Sequence, residues 1–87
     1  MSLATNMGSQ NSKERADVLL QKLFRRLFQV EEIAATDSME TIPLWDSMGH
    51  MELMAALEQT FGIRIDHQDI IQLTSINSIR KYLEGKI

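Results

Sequence analysis

The 87-residue chain contains no cysteine, which excludes disulfides, a thiolate metal site and a cysteine nucleophile. No apolar run approaches the length of a membrane span, so membrane insertion is not expected. Basic residues are in deficit, with nine Lys and Arg against twelve Asp and Glu and a net charge of −3. A nucleic-acid binder would show the opposite, a basic patch, so no nucleic-acid partner is expected. There is no glycine-rich phosphate loop. His50 and His67 are the only histidines; they fall on different predicted elements with no cysteine near, which argues against a zinc site. The carboxylates are scattered and show no pairing in a cleft. The first residues lack the basic start and apolar segment of a signal peptide, so a cytoplasmic protein is expected.

What remains is the composition of one small globular domain, 44% hydrophobic and near the lower size limit for folding without staples. Residues 1–11 are polar and unpatterned, and are expected to be a disordered lead-in. The domain proper is placed at 12–85. Its first helix is predicted to start at Asn11 or Ser12, where Asn11 and Glu14 have the spacing of a capping box. Ala16, Leu19, Leu20, Leu23, Leu27 and Val30 recur at helical spacing, widened by Phe24 and Phe28. Lys22, Arg25, Arg26 and Gln29 occupy the other face. A basic amphipathic helix can lie on a membrane, but so small a domain needs this apolar face for its own core.

Periodicity fails between Glu31 and Trp45. Ile33 either extends the helix or anchors the loop, and the only proline, Pro43, rules out a helix through this point. A loop of about a dozen residues is long for such a domain and needs pinning. Ile42, Leu44 and Trp45 are the candidates for that role.

A second helix is predicted from Ser47 to about Phe61. Counting 100° per residue from Met48, the residues His50, Leu53, Met54, Leu57 and Phe61 fall between about 140° and 240°, a core stripe. Met48, Met51 and Ala55 lie on the opposite side, flanked by Glu52 and Glu58. Such a line is either covered by a neighbouring segment or is a docking surface, for which methionine is well suited. Gly62 is a plausible left-handed stop. Ile63-Arg64-Ile65 is read as a loop tucking isoleucines under the bundle, followed by a short helix over 68–72 that buries Ile70 or Ile71 together with Leu73. A last helix, capped by Thr74 or Ser75, carries Ile76, Ile79 and Leu83 inward and ends at Gly85, with Tyr82 at its edge. The predicted architecture is all-α, a small four-helix bundle with a short third helix and a long loop between the first two.

Ser47 carries the functional question. At a helix start a serine can be an N-cap, its oxygen accepting from the first turn. It can equally be a presented hydroxyl. His50, one turn on, invites a serine–base pairing, but no orienting group or oxyanion hole accompanies it; a half-exposed helical histidine is the plainer expectation.

The series Asp46-Ser47-Met48, Glu52-Leu53, Ala56-Leu57-Glu58, Phe61-Gly62-Ile63, Ile65 and Ile79-Arg80-Lys81-Tyr82-Leu83 resembles the acyl carrier protein family. The likeness runs without a gap from about Pro43 to Leu83, and the preceding Leu/Phe helix fits the family's first helix. The tripeptide alone is weakly specific; in register with the helix and the later segments it is strong. The resemblance implies that Ser47 carries 4′-phosphopantetheine through a phosphodiester, added from coenzyme A by a magnesium-dependent phosphopantetheinyl transferase. The arm's thiol would hold an acyl or aminoacyl group as a thioester, charged by a ligase or synthase and passed to downstream transferases. The carrier itself would catalyse nothing and would act as a monomer. Asp46, Met48, Met51, Glu52, Ala55 and Glu58 match the positions at which family members meet partner enzymes. A phosphate at a helix N-terminus would also meet free N–H groups and the positive end of the helix dipole.

This chain departs from fatty-acid carriers in two places. Gly49 stands where they usually have an acid, and Ile70-Ile71-Gln72 is neutral. A specialised free-standing carrier fits better than the housekeeping one. Three functions follow in order: an acyl carrier, an aminoacyl (D-alanyl or peptidyl) carrier, and an unmodified helical interaction module. For a long acyl chain, the expected berth is between the helices, with Met54 and the second-helix leucines giving way.

Overall fold

A computed structural model describes residues 2–86, with side chains described from residue 13 onward. Four helices follow in order: α1 (Ser2–Phe28), α2 (Ser47–Phe61), α3 (His67–Ile70) and α4 (Ile76–Lys86). The all-α bundle with its short third helix is as the hydrophobic spacing predicts. Helix α1 begins well ahead of Asn11, because nothing in residues 2–11 breaks a helix: there is no proline, and Gly8 alone only weakens it. The expected disorder of 1–11 concerns residues whose side chains lie outside those described. The short third helix starts at His67 rather than Gln68 and stops at Ile70.

The core is built from one stripe of each long helix. Leu20, Leu23, Phe24 and Phe28 come from α1, Leu53, Met54 and Leu57 from α2, and Ile76, Ile79 and Leu83 from α4, all buried. Ile65 and Leu73 close the bundle from the loops on either side of α3. Each such side chain contributes about 1.5–3 kcal/mol on leaving water, and no single contact dominates. Across the surface, Arg80 Nε meets Asp17 Oδ1 at 3.2 Å, joining α4 to α1. This pair is exposed and contributes little.

The long loop is ordered by its own polar residues. Asp37 accepts from Ala34 N–H at 2.8 Å and from the Thr41 hydroxyl at 2.9 Å, and Ser38 N–H donates to Thr41 Oγ1 at 2.9 Å. Backbone bonds from Met39 N–H to Thr74 O and from Ile76 N–H to Asp37 O, both 3.0 Å, stitch the loop to the start of α4. These satisfy groups that would otherwise be orphaned in an irregular segment. Ile33, Ile42 and Trp45 are the apolar pins. Leu44 is not one of them: it is 47% exposed, since only one of two adjacent side chains in this turn can face inward, and Trp45 takes that place.

Helix ends are capped locally. Gly62 adopts φ 65° and its N–H returns to Glu58 O, closing α2. At α4, Ser78 N–H donates to Ser75 Oγ at 3.1 Å while Ser75 N–H donates to Ser78 Oγ at 3.2 Å. That reciprocal pair is a capping box with serine in the place usually held by glutamate. Phe28 is followed by Gln29 at φ 58°, a left-handed residue that carries a Cβ and so bears strain a glycine would avoid. Gln29→Gly is expected to raise stability by about 0.5–1 kcal/mol, relief of strain outweighing the added freedom of the unfolded chain. A denaturant midpoint at or below wild type would contradict this.

Candidate functional site

Local chemistry at the head of α2 assigns each residue a separate task. Asp46 is extended (φ −101°, ψ −167°) and its Oδ1 accepts from Gly49 N–H at 2.8 Å. Asp46 O accepts from His50 N–H at 2.7 Å. The N-cap is therefore Asp46, and the reading of Ser47 as the cap is corrected. A carboxylate caps well and is favoured at the positive end of the helix. Ser47 becomes the first helical residue, exposed and free of capping duty. The N–H groups of Ser47 and Met48 precede the first residue that can find an acceptor four positions back within the helix.

Gly49 is buried beneath this turn. A Cβ built there would stand 2.6 Å from Leu44 O and 2.8 Å from Phe28 Cε1. The loop backbone thus lies directly on α2, and glycine is required by close approach rather than by its torsion angles.

Trp45 and His50 complete the support. The Trp45 ring is edge-on to Phe24 at 5.0 Å and stacked on Phe28 at 5.9 Å. Its Nε1–H donates to His50 Nδ1 at 3.0 Å. That bond places the imidazole proton on Nε2, which donates to Ile70 O at 2.7 Å. His50 is 7% exposed, not half-exposed as its surroundings in the sequence suggest. With both ring nitrogens committed it has no lone pair to offer Ser47, so the serine–base pairing fails on geometry.

The outer face of α2 remains open. Met48 is 79% exposed and Met51 55%; Asp46, Glu52 and Ala55 are exposed beside them. Among the described residues, no neighbouring helix or loop covers this line. Glu58 is half-buried, and its Oε2 accepts from Ile65 N–H at 2.8 Å, which ties the carboxylate to the loop after α2. Two further apolar residues read as inward are exposed: Leu44, a candidate loop pin, and Ile71, the alternative to Ile70 in the third helix, which is 73% exposed. The neutral run Ile70-Ile71-Gln72 was the available signal for Ile71. For Leu44 there was none, because its neighbours Ile42 and Trp45 are both buried.

Below this face, Glu58, Ile63, Arg64, Ile65, Asp66 and His67 line an open groove. Tyr82 reaches its edge and donates to Arg64 O at 3.1 Å. Burial, with the nearby carboxylates of Asp69, Asp66 and Glu58, pushes the Tyr82 phenol above its ordinary value; its bond to Arg64 O holds α4 to this loop. Among the described residues, no three His, Cys, Asp or Glu side chains are grouped to hold a metal ion.

Residues 19–83 match the family model described as the phosphopantetheine attachment site. No curated protein matches the chain at a significant level.

Two substitutions separate the supports of this turn. Gly49→Ala forces the Leu44 carbonyl off α2 and is expected to cost about 1–3 kcal/mol. Asp46→Ala removes the cap and is expected to cost about 1 kcal/mol, with Asp46→Asn much milder. Urea unfolding of the three variants checks the order, and a neutral Gly49→Ala would show that the loop can lift at no cost.

Proposed function

The chain belongs to the phosphopantetheine attachment family, and from that premise we propose that Ser47 is the residue that takes the arm and that the protein carries acyl intermediates on it. The domain is the site of covalent 4′-phosphopantetheine attachment. The observation supporting Ser47 is its place at an exposed first helical position, with Asp46 beside it performing the capping. In the transfer, Ser47 Oγ forms a bond to the phosphorus nearest the pantetheine of coenzyme A. The bond from that phosphorus to the bridging oxygen breaks, the adenosine bisphosphate leaves, and the serine proton goes to a base of the transferase. The arm supplies a thiol, which bears the cargo as a thioester.

Because Asp46 already occupies the positive end of α2, the phosphodiester meets a partly neutralised terminus. The site fastens the arm by its covalent bond and does little to hold it down. That suits an arm which must swing between enzymes. Ser47 also needs no general base of its own, consistent with a carrier rather than an enzyme; His50 cannot supply one.

Recognition falls to the open face. Asp46, Met48, Met51, Glu52 and Ala55 are the proposed partner contacts, with Glu58 contributing through its remaining carboxylate oxygen. The partners are the transferase, the ligase or synthase that charges the thiol, and the transferases downstream. Aminoacyl cargo uses the same serine, and the neutral stretch after Ile70 favours a specialised pathway over bulk fatty-acid synthesis. The unmodified-module reading loses its main support, since Ser47 does not cap the helix.

Incubation with coenzyme A, magnesium and a promiscuous transferase is expected to add one phosphopantetheine to the intact mass, and Ser47→Ala to abolish the gain. An unmodified wild-type chain would defeat the assignment. Met48→Glu is expected to lower kcat/KM for that transfer by about tenfold, as for a central apolar contact, without changing the melting temperature. An unchanged rate would move recognition off this face.

A further inference from the structure

The interior behind Ser47 is closed by hydrogen bonds as well as by apolar packing. We propose that cargo attached at Ser47 stays in solvent, because the Trp45–His50–Ile70 clasp seals the bundle behind the first turn of α2, and that the cargo class is therefore short or polar rather than a long hydrocarbon. This rests on the assignment of Ser47 as the attachment point.

Behind Ser47 the first turn of α2 is closely packed. On one side Gly49 lies against Leu44 O and Phe28, where even a methyl group would collide. On the other, His50 reaches across to the end of α3 and donates to Ile70 O at 2.7 Å. Between them Trp45, 1% exposed, is packed on Phe24 and Phe28. Leu53, Leu57 and Ile76 behind it are fully buried. A hydrocarbon entering here must displace the indole or part His50 from Ile70. Displacing the indole strands its N–H and His50 Nδ1, whose bond is buried, and parting His50 from Ile70 O breaks a second, part-buried bond. The clasp is self-satisfied: among the described residues no buried side-chain nitrogen or oxygen lacks a hydrogen-bond partner. Displacing Trp45 would also undo the aromatic contacts that anchor the long loop.

A berth between the helices with Met54 yielding is the alternative this packing opposes. Met54 is flexible, but it is 2% exposed within the packed core, so its adaptability cannot be used until that packing opens. A long chain left outside would expose its methylenes to water, which disfavours such cargo. A short acyl or an aminoacyl group has little apolar surface to hide.

The test loads the full chain with butyryl- and dodecanoyl-phosphopantetheine from the two coenzyme A thioesters, with each product verified by intact mass. Cleavage by hydroxylamine is then timed: its nitrogen bonds to the thioester carbonyl, the C–S bond breaks, and thiol and hydroxamate are released. Normalised to the free coenzyme A thioesters, the two rates are expected to agree within about twofold, and the two melting temperatures within about 1 °C, because a solvent-borne group does not bind the fold. A dodecanoyl form that is cleaved more slowly than this margin, or that melts higher, overturns the proposal while leaving the carrier assignment intact. In His50→Ala the dodecanoyl group is expected to become protected at least fivefold; if the folded variant shows no protection, the clasp is not the seal. Should that variant fail to fold, the wild-type comparison decides. Absence of any mass gain overturns the attachment assignment itself, and this inference falls with it.

Discussion

The bond from the Trp45 indole to His50 Nδ1 joins the last buried residue of the long loop to the first buried turn of α2. Most of the local arrangement follows from it. It fixes the imidazole tautomer, so that Nε2–H is available to Ile70 O and α3 is drawn to the head of α2. It also lets a tryptophan sit fully inside the core, where its N–H would otherwise be unpaired. With Trp45 held inward, the residues on either side face out: Leu44 toward solvent, Asp46 toward the helix terminus. The position of Ser47 is set by covalent continuity between that cap and the buried histidine one turn later.

Capping and presentation compete when they fall on one side chain. A serine whose oxygen accepts from the first turn has its hydroxyl held at the helix end, and modification there would disturb the cap. Here the two jobs fall to neighbours. Asp46 bonds Gly49 N–H, and Ser47 takes the next position with its side chain exposed. The cap is a charged acceptor, which makes the turn more robust than a serine cap would. Gly49 serves the same end from beneath, since only the absence of a Cβ lets the loop carbonyl of Leu44 lie against α2. A rigid base for a mobile arm is the result.

The sequence was informative wherever a single period governed burial. The extent of α2, the left-handed turn at Gly62 and the inward residues of α4 could be read directly, and the α4 cap was narrowed to Thr74 or Ser75, of which Ser75 caps. It was less informative where burial depends on partners distant in the chain. His50 lay in the core arc by angle, yet its polar ring argued for exposure; the reversal comes from Trp45 and Ile70, which no local pattern links to it. Leu44 is exposed because Trp45 wins the inward place, and composition cannot rank two adjacent apolar residues in a loop. Whether Ser47 caps α2 was left open for a related reason. Asp and Ser are both good caps, and only the backbone turn at Asp46 distinguishes them. Gly49 looked like a missing acid and is better described as a steric necessity.

The same features bear on how partners are recognised. Acidic side chains near Ser47 are few, and two of them are already engaged: Asp46 in the cap and Glu58 with the Ile65 amide. A carboxylate that accepts a backbone bond remains charged, but it cannot turn freely to meet an arginine. Long-range attraction to basic enzymes is correspondingly weak, and surface ion pairs contribute little once formed. On the proposed partner face, the exposed Met48 and Met51 would supply affinity through area removed from water. Methionine makes such a surface adaptable, because its unbranched chain can repack against differently shaped partners. A carrier must leave each enzyme as readily as it binds. A small, flexible apolar contact with modest steering meets that requirement.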